Sequence, residues 1–182
     1  MFLAPVFAIG VLMSLVSPPP AQAPRPATTP QAAAVGEAAP SFDYVSADFY
    51  RRRLSDLTAQ GNVLLVLGGS DAQLLELERQ QPSLQRAGIV AVAVSDENDD
   101  QAWQTTQRLG LTFSLLSDPG RVIAGAYGCL DPRTRARATG WFVVDREGRV
   151  RGSGRGTCGP QGWLAIVNET LGTPELSAAG GR

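Results

Sequence analysis

The sequence predicts an α/β fold in which helices cross a central sheet, and three segments in its first half carry that prediction. Residues 62–67 (NVLLVL) form an apolar run without alternation, which is typical of a strand buried on both faces. Leucines at helical spacing follow over residues 71–87, and Gly88 provides the cap that commonly ends a helix. A second apolar run then covers residues 89–95. Strand, helix and strand in this order are typical of α/β domains.

The rest of the domain continues this alternation. Residues 35–61 predict an extended opening and a short helix before the first buried strand. Later segments predict a helix over 99–109 ended by Gly110, a strand over 112–116, a helix over 120–127, a hairpin of strands 141–145 and 149–152, and a helix over 161–171 opened by Pro160. We therefore expect one compact domain.

Composition limits the chemistry available to the chain. Its 182 residues are 43% hydrophobic with a formal net charge of -1, which indicates a globular domain without the basic surface that nucleic acids require. Arg51, Arg52 and Arg53 form the only basic run, which we interpret as a solvated helix face rather than an anion site. There is no histidine, and all 16 basic residues are arginine. These absences exclude a serine–histidine relay, a histidine zinc site and a lysine Schiff base, and we predict no metal or cofactor.

The N-terminus indicates export. Residues 2–16 are apolar and uncharged, a run shorter than the roughly 20 residues that span a bilayer, and residues 21–23 (AQA) match a signal-peptidase site. We expect a signal peptide or N-terminal anchor over 1–23, a Pro/Ala-rich linker over 24–34, the folded domain over 35–172 and a flexible tail over 173–182. The predicted location is the periplasm or cell envelope, with membrane contact only through an uncleaved N-terminal segment. A misassigned start codon is the remaining alternative.

Several segments, taken in order, resemble one protein family. They are VGEAAPSF (35–42), LSDL (54–57), VLLVL (63–67), GIVAVAVSDEN (88–98), GLTFSLLSDPGRVIAGAYG (110–128) and WFVVDREGRV (141–150). The chain thereby resembles the peroxiredoxin-like branch of the thioredoxin superfamily, which includes alkyl hydroperoxide reductases, redoxins and thiol-specific antioxidants. The resemblance implies a thioredoxin-like fold with a mixed five-stranded sheet flanked by helices. It also implies a reactive turn at the C-terminal end of the central strand.

That turn lacks the residue on which the family's chemistry depends. In the family a cysteine lies there, where the N-terminus of the next helix and a nearby arginine lower its pKa. Here the turn is Gly68-Gly69-Ser70, and Ser70 lies at, or within a residue or two of, the cysteine position. A serine hydroxyl is not ionised at neutral pH, so we name no catalytic residue and interpret Ser70 as the N-cap of the helix. An anion-binding nest at the two glycines is the weaker alternative.

Arg137 is the nearest match to the family's active-site arginine. It follows Arg133 and Arg135 in the loop before the strand at 141–145, and is displaced from the family pattern because Gly140 and Trp141 look inserted. Exposed loop charges usually contribute little, and we expect Arg137 to be one of them rather than part of a site.

Two cysteines remain, Cys129 and Cys158, and the resemblance implies that both lie at the same end of the sheet as Ser70. In an exported protein two cysteines most often form a structural disulfide, which is the interpretation we favour. The alternatives are an exchangeable redox pair, because Cys158 precedes a predicted helix N-terminus, and two unpaired thiols.

Two functions follow from these observations. The one we favour is a non-catalytic module that keeps a peroxiredoxin-like scaffold to bind an unknown protein partner or to serve a structural role. The alternative is an antioxidant thiol-disulfide oxidoreductase or peroxidase that uses Cys129 and Cys158 with a thiol reductant. An anion-binding module resting on residues 68–70 is a third hypothesis.

Overall fold

The computed structural model describes residues 33–45, 50–158 and 161–172. The elements in chain order are β1 (Asp43–Val45), β2 (Arg51–Arg53), α1 (Leu54–Thr58), β3 (Asn62–Leu67), α2 (Asp71–Arg86), β4 (Ile89–Ser95), α3 (Asp99–Leu109), β5 (Ser114–Ser117), α4 (Val122–Ala126), β6 (Gly140–Val144), β7 (Val150–Arg155) and α5 (Gly162–Leu171). The predicted signal or anchor, most of the linker, Pro160 and the C-terminal tail lie outside the described residues. None of the described helices is both long enough and apolar enough to cross a bilayer.

A mixed five-stranded sheet forms the centre of the molecule, with strand order β5-β4-β3-β6-β7. Strands β3, β4 and β5 are parallel, whereas β6 runs antiparallel to β3 and β7 antiparallel to β6. The predicted thioredoxin-like α/β fold is therefore confirmed. The register pairs Leu67 with Val94 and with Gly140, so the ends of β3 and β4 and the start of β6 meet at one edge of the sheet.

Strand β3 is buried on both faces, as its unbroken apolar sequence predicts. Val63, Leu65 and Leu67 face one cluster, here called the α4-side core, which also contains residues of α1 and α4. Leu64 and Val66 face the other, the α2-side core, which contains residues of α2 and α5. The sheet therefore separates two cores, and a side chain buried in one is screened from the other.

Some boundaries differ from those predicted. Arg51–Arg53 form strand β2 rather than a helix face, because they pair with Asp43–Val45 in a separate two-stranded sheet. Strand β5 begins at Ser114 because that residue pairs with Val92 of β4. Helix α4 starts later than expected, since the backbone of residues 118–121 forms a turn that enters it. Strand β7 runs on to Arg155, which pairs with Gly140.

Two glycines allow the turns that lead into β3 and β4 to pack closely together. Gly61 precedes β3 and Gly88 precedes β4, and the strands begin side by side with Asn62 opposite Ile89. A Cβ on Gly61 would lie 2.3 Å from the carbonyl oxygen of Gly88. Because that neighbour is backbone, it cannot move aside by a change of rotamer.

Replacing Gly61 with alanine should therefore destabilise the fold. We expect Gly61→Ala to lower the free energy of unfolding by roughly 1–3 kcal/mol, the usual cost of overpacking, as measured by urea denaturation. Gly120→Ala is the matched control, because its Cβ would meet only Val122 Cγ2 at an ordinary 3.5 Å. Equal midpoints for the two variants would contradict the prediction.

Candidate functional site

The turn between β3 and α2 consists of Gly68, Gly69 and Ser70. Gly68 adopts a left-handed φ of 70°, and its N–H donates to the carbonyl oxygen of Val94 at 2.9 Å. Ser70 is exposed and occupies the N-cap position of α2 that the sequence predicts. Its backbone N–H donates to Gln73 Oε1 at 2.8 Å. The turn thus leads from the central strand to the N-terminus of a helix, and it carries no cysteine.

Arg137 lies against this turn, and the expectation that it is an exposed loop charge is wrong. Its side chain is only 8% exposed, and its Nη1 donates to the carbonyl oxygen of Val94 at 3.0 Å. A Cβ placed on Gly68 would lie 3.2 Å from Arg137 Cδ. The loop folds back on itself through a bridge between Leu130 and Arg137, which brings the side chain to the sheet edge. Neighbouring Arg133 and Arg135 are exposed.

Asp118 holds the Arg137 guanidinium in place. Its carboxylate is 4% exposed and lies 3.3 Å from Arg137 Nη2. The same carboxylate accepts the backbone N–H groups of Val122 at 2.7 Å and Ala124 at 2.9 Å, and so caps α4. Sequence reasoning did not single out Asp118, although an acidic residue just before a helix was a usable signal. One buried pair thus connects the turn, the loop and α4.

Cys129 is buried in the α4-side core close to the same sheet edge. It is 0% exposed, and its Sγ lies 2.8 Å from the position of a Cβ on Gly140, the first residue of β6. Burial raises the pKa of the Cys129 thiol, and the nearby guanidinium groups of Arg155 and Arg137 only partly offset this. The glycine at the start of β6 therefore makes room for this sulfur. The thiol is neutral and shielded from solvent.

Cys158 lies on the other side of the sheet. It is half-buried against the α2-side core, and burial raises the pKa of its thiol, with a further rise from the carboxylate of Glu76. Both cysteines are free thiols. The favoured structural disulfide is therefore not formed, because the sheet lies between sulfurs that a bond requires to be adjacent.

Within residues 33–45, 50–158 and 161–172, no three carboxylates or thiols converge to hold a metal ion. The candidate site is therefore the turn, the buried pair of Arg137 and Asp118, and the nearby thiol of Cys129.

Removing the charge of Arg137 should destabilise the whole fold. Arg137→Met leaves the buried Asp118 carboxylate without its cation, and breaking such a pair typically costs about 3–5 kcal/mol. We expect a loss of that size in the free energy of unfolding measured by urea denaturation. Arg133→Met, an exposed position on the same loop, should change it by less than about 0.5 kcal/mol. A fully stable Arg137→Met would show that the pair does not anchor the loop.

The raised pKa of Cys129 predicts a loss of stability at alkaline pH. The unfolded thiol ionises above about pH 8.5 while the folded one stays protonated, so thiol ionisation favours the unfolded state. The stabilisation is complete below that pH and disappears as the pH approaches the folded pKa. Between roughly pH 8 and pH 10, Cys129→Ala should lose less free energy of unfolding than the parent protein. Parallel curves for the two proteins would refute this.

Comparison with known proteins identifies the family. A sequence model of the AhpC/TSA family matches residues 35–153. Alkyl hydroperoxide reductase E of Mycobacterium tuberculosis is 30% identical over 127 residues, which cover 64% of this chain and 82% of that protein. The selenocysteine-containing peroxiredoxin PrxU of Peptoclostridium acidaminophilum is 25% identical over 134 residues, covering 65% of this chain and 66% of that protein.

Solved structures share the fold. Peroxidoxin BcpB from Mycobacterium tuberculosis has a TM-score of 0.68 at 16% identity, covering 79% of this chain and 99% of that chain. Mycobacterium bovis AhpC has a TM-score of 0.63 at 17% identity, covering 84% of this chain and 99% of that chain. The family match extends over nearly the whole folded domain. The chain therefore belongs to the AhpC/TSA family, within the peroxiredoxin-like branch of the thioredoxin superfamily.

Proposed function

We propose that this chain is a peroxiredoxin-family protein that has lost the peroxidatic cysteine and acts as a non-catalytic binding or structural module. The observation that carries the proposal is Ser70 at the N-cap of α2, on a turn whose supporting residue Arg137 is still in place. Export to the periplasm or cell envelope is part of the same proposal and rests on the sequence of residues 1–23. The partner is proposed to be a protein.

Peroxide reduction by thiols explains why the serine matters. The thiolate attacks one peroxide oxygen, the O–O bond breaks, and the other oxygen leaves as water or an alcohol once it is protonated. A thiol at a helix N-terminus beside a guanidinium is readily ionised, whereas a serine hydroxyl is not. Without histidine or lysine, the chain also lacks the usual bases that could take the proton from Ser70.

The two remaining cysteines do not replace the missing one. A reactive cysteine needs a lowered pKa and access to solvent, yet the pKa of both thiols is raised by burial. Cys129 is completely buried. Cys158, on the opposite face of the sheet, is not positioned to resolve a sulfenic acid formed at Cys129.

A second candidate function is peroxide reduction at Cys129. The position of its sulfur near the sheet edge, with the guanidinium groups of Arg137 and Arg155 close enough to favour the thiolate, supports this alternative. Relatives named as an alkyl hydroperoxide reductase and a peroxiredoxin also agree with it. It requires local opening of the α4-side core, and a thiol reductant to return the sulfenic acid to the thiol.

Peroxide consumption separates the two functions. We expect the protein, supplied with hydrogen peroxide and a dithiol reductant, to consume peroxide at the rate of buffer with reductant. Cys129→Ser and Cys158→Ser should show the same background rate. A rate above background that disappears in Cys129→Ser would contradict the non-catalytic proposal and establish the second candidate.

Introducing a cysteine on the turn should create peroxide-reducing activity. Ser70→Cys places a thiol at the N-terminus of α2 near Arg137, where the helix dipole lowers its pKa. We expect the variant to consume peroxide at least about tenfold faster than the parent, which corresponds to about 1.4 kcal/mol of barrier. Ser83→Cys, within the same helix but away from its N-terminus, is the matched control. Equal rates for the two variants would show that the turn has lost more than its sulfur.

A further inference from the structure

A cavity of about 410 Å³ lies at the end of the central sheet where β3 begins. Its walls come from β3, from the turn after β6, from β7 and from the last turn of α5, and the lining residues are Asn62, Asp145, Arg151, Thr170 and Leu171. Strand β3 extends from Asn62 to Leu67, so the length of the strand, roughly 17 Å, separates this cavity from the turn at residues 68–70. The cavity is therefore distinct from the candidate site.

An ion pair forms one wall of the cavity. The Asp145 carboxylate is only 4% exposed. It accepts the backbone N–H of Arg149 at 2.8 Å and the side-chain Nε–H of Arg151. The Arg151 side chain is 49% exposed, and its two terminal nitrogens have no acceptor in the described parts of the chain. Arg151 can therefore bind a further anionic group without giving up its bond to Asp145.

An irregularity in the sheet places Arg151 at this wall. Val143 pairs with Gly152, whereas the next residue of β6, Val144, pairs with Val150. Arg151 is thus the extra residue of a β-bulge, a feature that re-aims side chains and is common next to functional sites. The bulge sets Arg151 beside Asp145 instead of opposite a residue of β6.

Helix α5 approaches the cavity closely because β7 carries a glycine at the contact. A Cβ on Gly152 would lie 2.4 Å from Thr170 Cγ2, so a larger residue would displace the helix. Thr170 Oγ1 donates to the carbonyl oxygen of Ile166 at 2.6 Å, which leaves its lone pairs available to accept a hydrogen bond. The last turn of α5 also carries the negative end of a helix dipole, which favours a cation.

Asn62 and Leu171 complete the lining. The Asn62 side chain is half-buried, and its amide has no hydrogen-bond partner among the residues that the structure describes. Leu171 is partly buried against the α2-side core. The cavity therefore offers a guanidinium, a carboxylate, an amide and one apolar side chain, and its volume falls within the range of about 300–1,000 Å³ that small-molecule sites occupy.

The charges of the cavity restrict the class of ligand. Arg151 and Asp145 balance each other, so a ligand with a net charge would leave one partly buried charge without compensation. A zwitterion avoids this cost, because its carboxylate binds Arg151 while its ammonium group faces Asp145 and the end of α5. Since Arg151 and Asp145 are in contact, the two charges of the ligand must also lie close together. A free α-amino acid meets this condition, because one carbon carries both its charged groups.

We propose that this cavity binds a free α-amino acid with an apolar side chain. The ligand carboxylate accepts from the terminal nitrogens of Arg151 and from the amide of Asn62. Its ammonium group donates to Asp145 and to Thr170 Oγ1, and its side chain contacts Leu171. The site does not rest on the proposed function, because no residue of the turn at 68–70 takes part in it.

An NMR titration of the full chain with L-valine tests the site. At about pH 6.5, where an α-amino group is protonated, the amides of Gly152 and Leu171 should shift along a saturable curve. The amide of Ser70, beyond the other end of β3, should not shift. An absence of saturable shifts at Gly152 and Leu171 would overturn the site.

Two derivatives of the ligand test its class. N-acetyl-L-valine lacks the ammonium group and L-valinamide lacks the carboxylate. Each should bind at least about tenfold more weakly than L-valine, because each loses its charge-assisted hydrogen bonds on one side of the cavity. Affinity equal to that of L-valine for either derivative would overturn the zwitterion assignment.

Variants of the lining test its composition. Arg151→Gln removes the guanidinium and should weaken L-valine binding at least about tenfold. Arg146→Gln, at an exposed position of the same hairpin outside the cavity, is the matched control and should bind L-valine as the parent does. Asn62→Leu keeps a side chain of similar size and leaves the ion pair intact. It should weaken binding about threefold or more, and it covers the case in which Arg151→Gln fails to fold. Unchanged affinity in Asn62→Leu and in folded Arg151→Gln would overturn the assignment.

Discussion

The buried pair of Arg137 and Asp118 is the interaction on which the candidate site depends. The Arg137 guanidinium donates to the end of β4, and the Arg137 methylene groups pack against Gly68. The Asp118 carboxylate caps α4. A buried pair of this kind is not a large net source of stability, because both charges lose their water. The pair instead fixes the geometry of the site. If either partner were lost, the other would remain as a buried charge without compensation. The loop before β6 and the turn after β3 are therefore held in one fixed arrangement.

In this arrangement, groups that stabilise negative charge surround a turn that carries no cysteine. The AhpC/TSA scaffold supplies a helix N-terminus and a buried arginine at the end of the central strand, features that stabilise negative charge whichever atom carries it. Under the proposed function, a thiol at that point would carry the charge as a thiolate, whereas the hydroxyl of Ser70 stays uncharged.

The sheet itself decides what the two cysteines can do. Because β3 is buried on both faces, Cys129 in the α4-side core and Cys158 against the α2-side core are separated by a packed layer. The expected disulfide rested on the oxidising environment of exported proteins, in which the bond is chemically permitted. That environment carries no information on which face of a sheet a residue occupies. Tertiary packing also raises the pKa of both thiols, whereas an activated cysteine requires a lowered pKa.

The order of the main elements and the central position of β3 could be predicted from the sequence, because apolar runs, helical spacing and glycine caps are local signals. The family could be predicted as well, from the order of its characteristic segments. The sequence also shows that residues 68–70 include no cysteine and that the chain has no histidine. The burial of Arg137 against Gly68, its pairing with Asp118 and the separation of the two cysteines became visible in the folded structure alone. Burial and pairing join residues that are distant in the chain, and a loop arginine has the same local sequence whether it points to solvent or to a buried carboxylate.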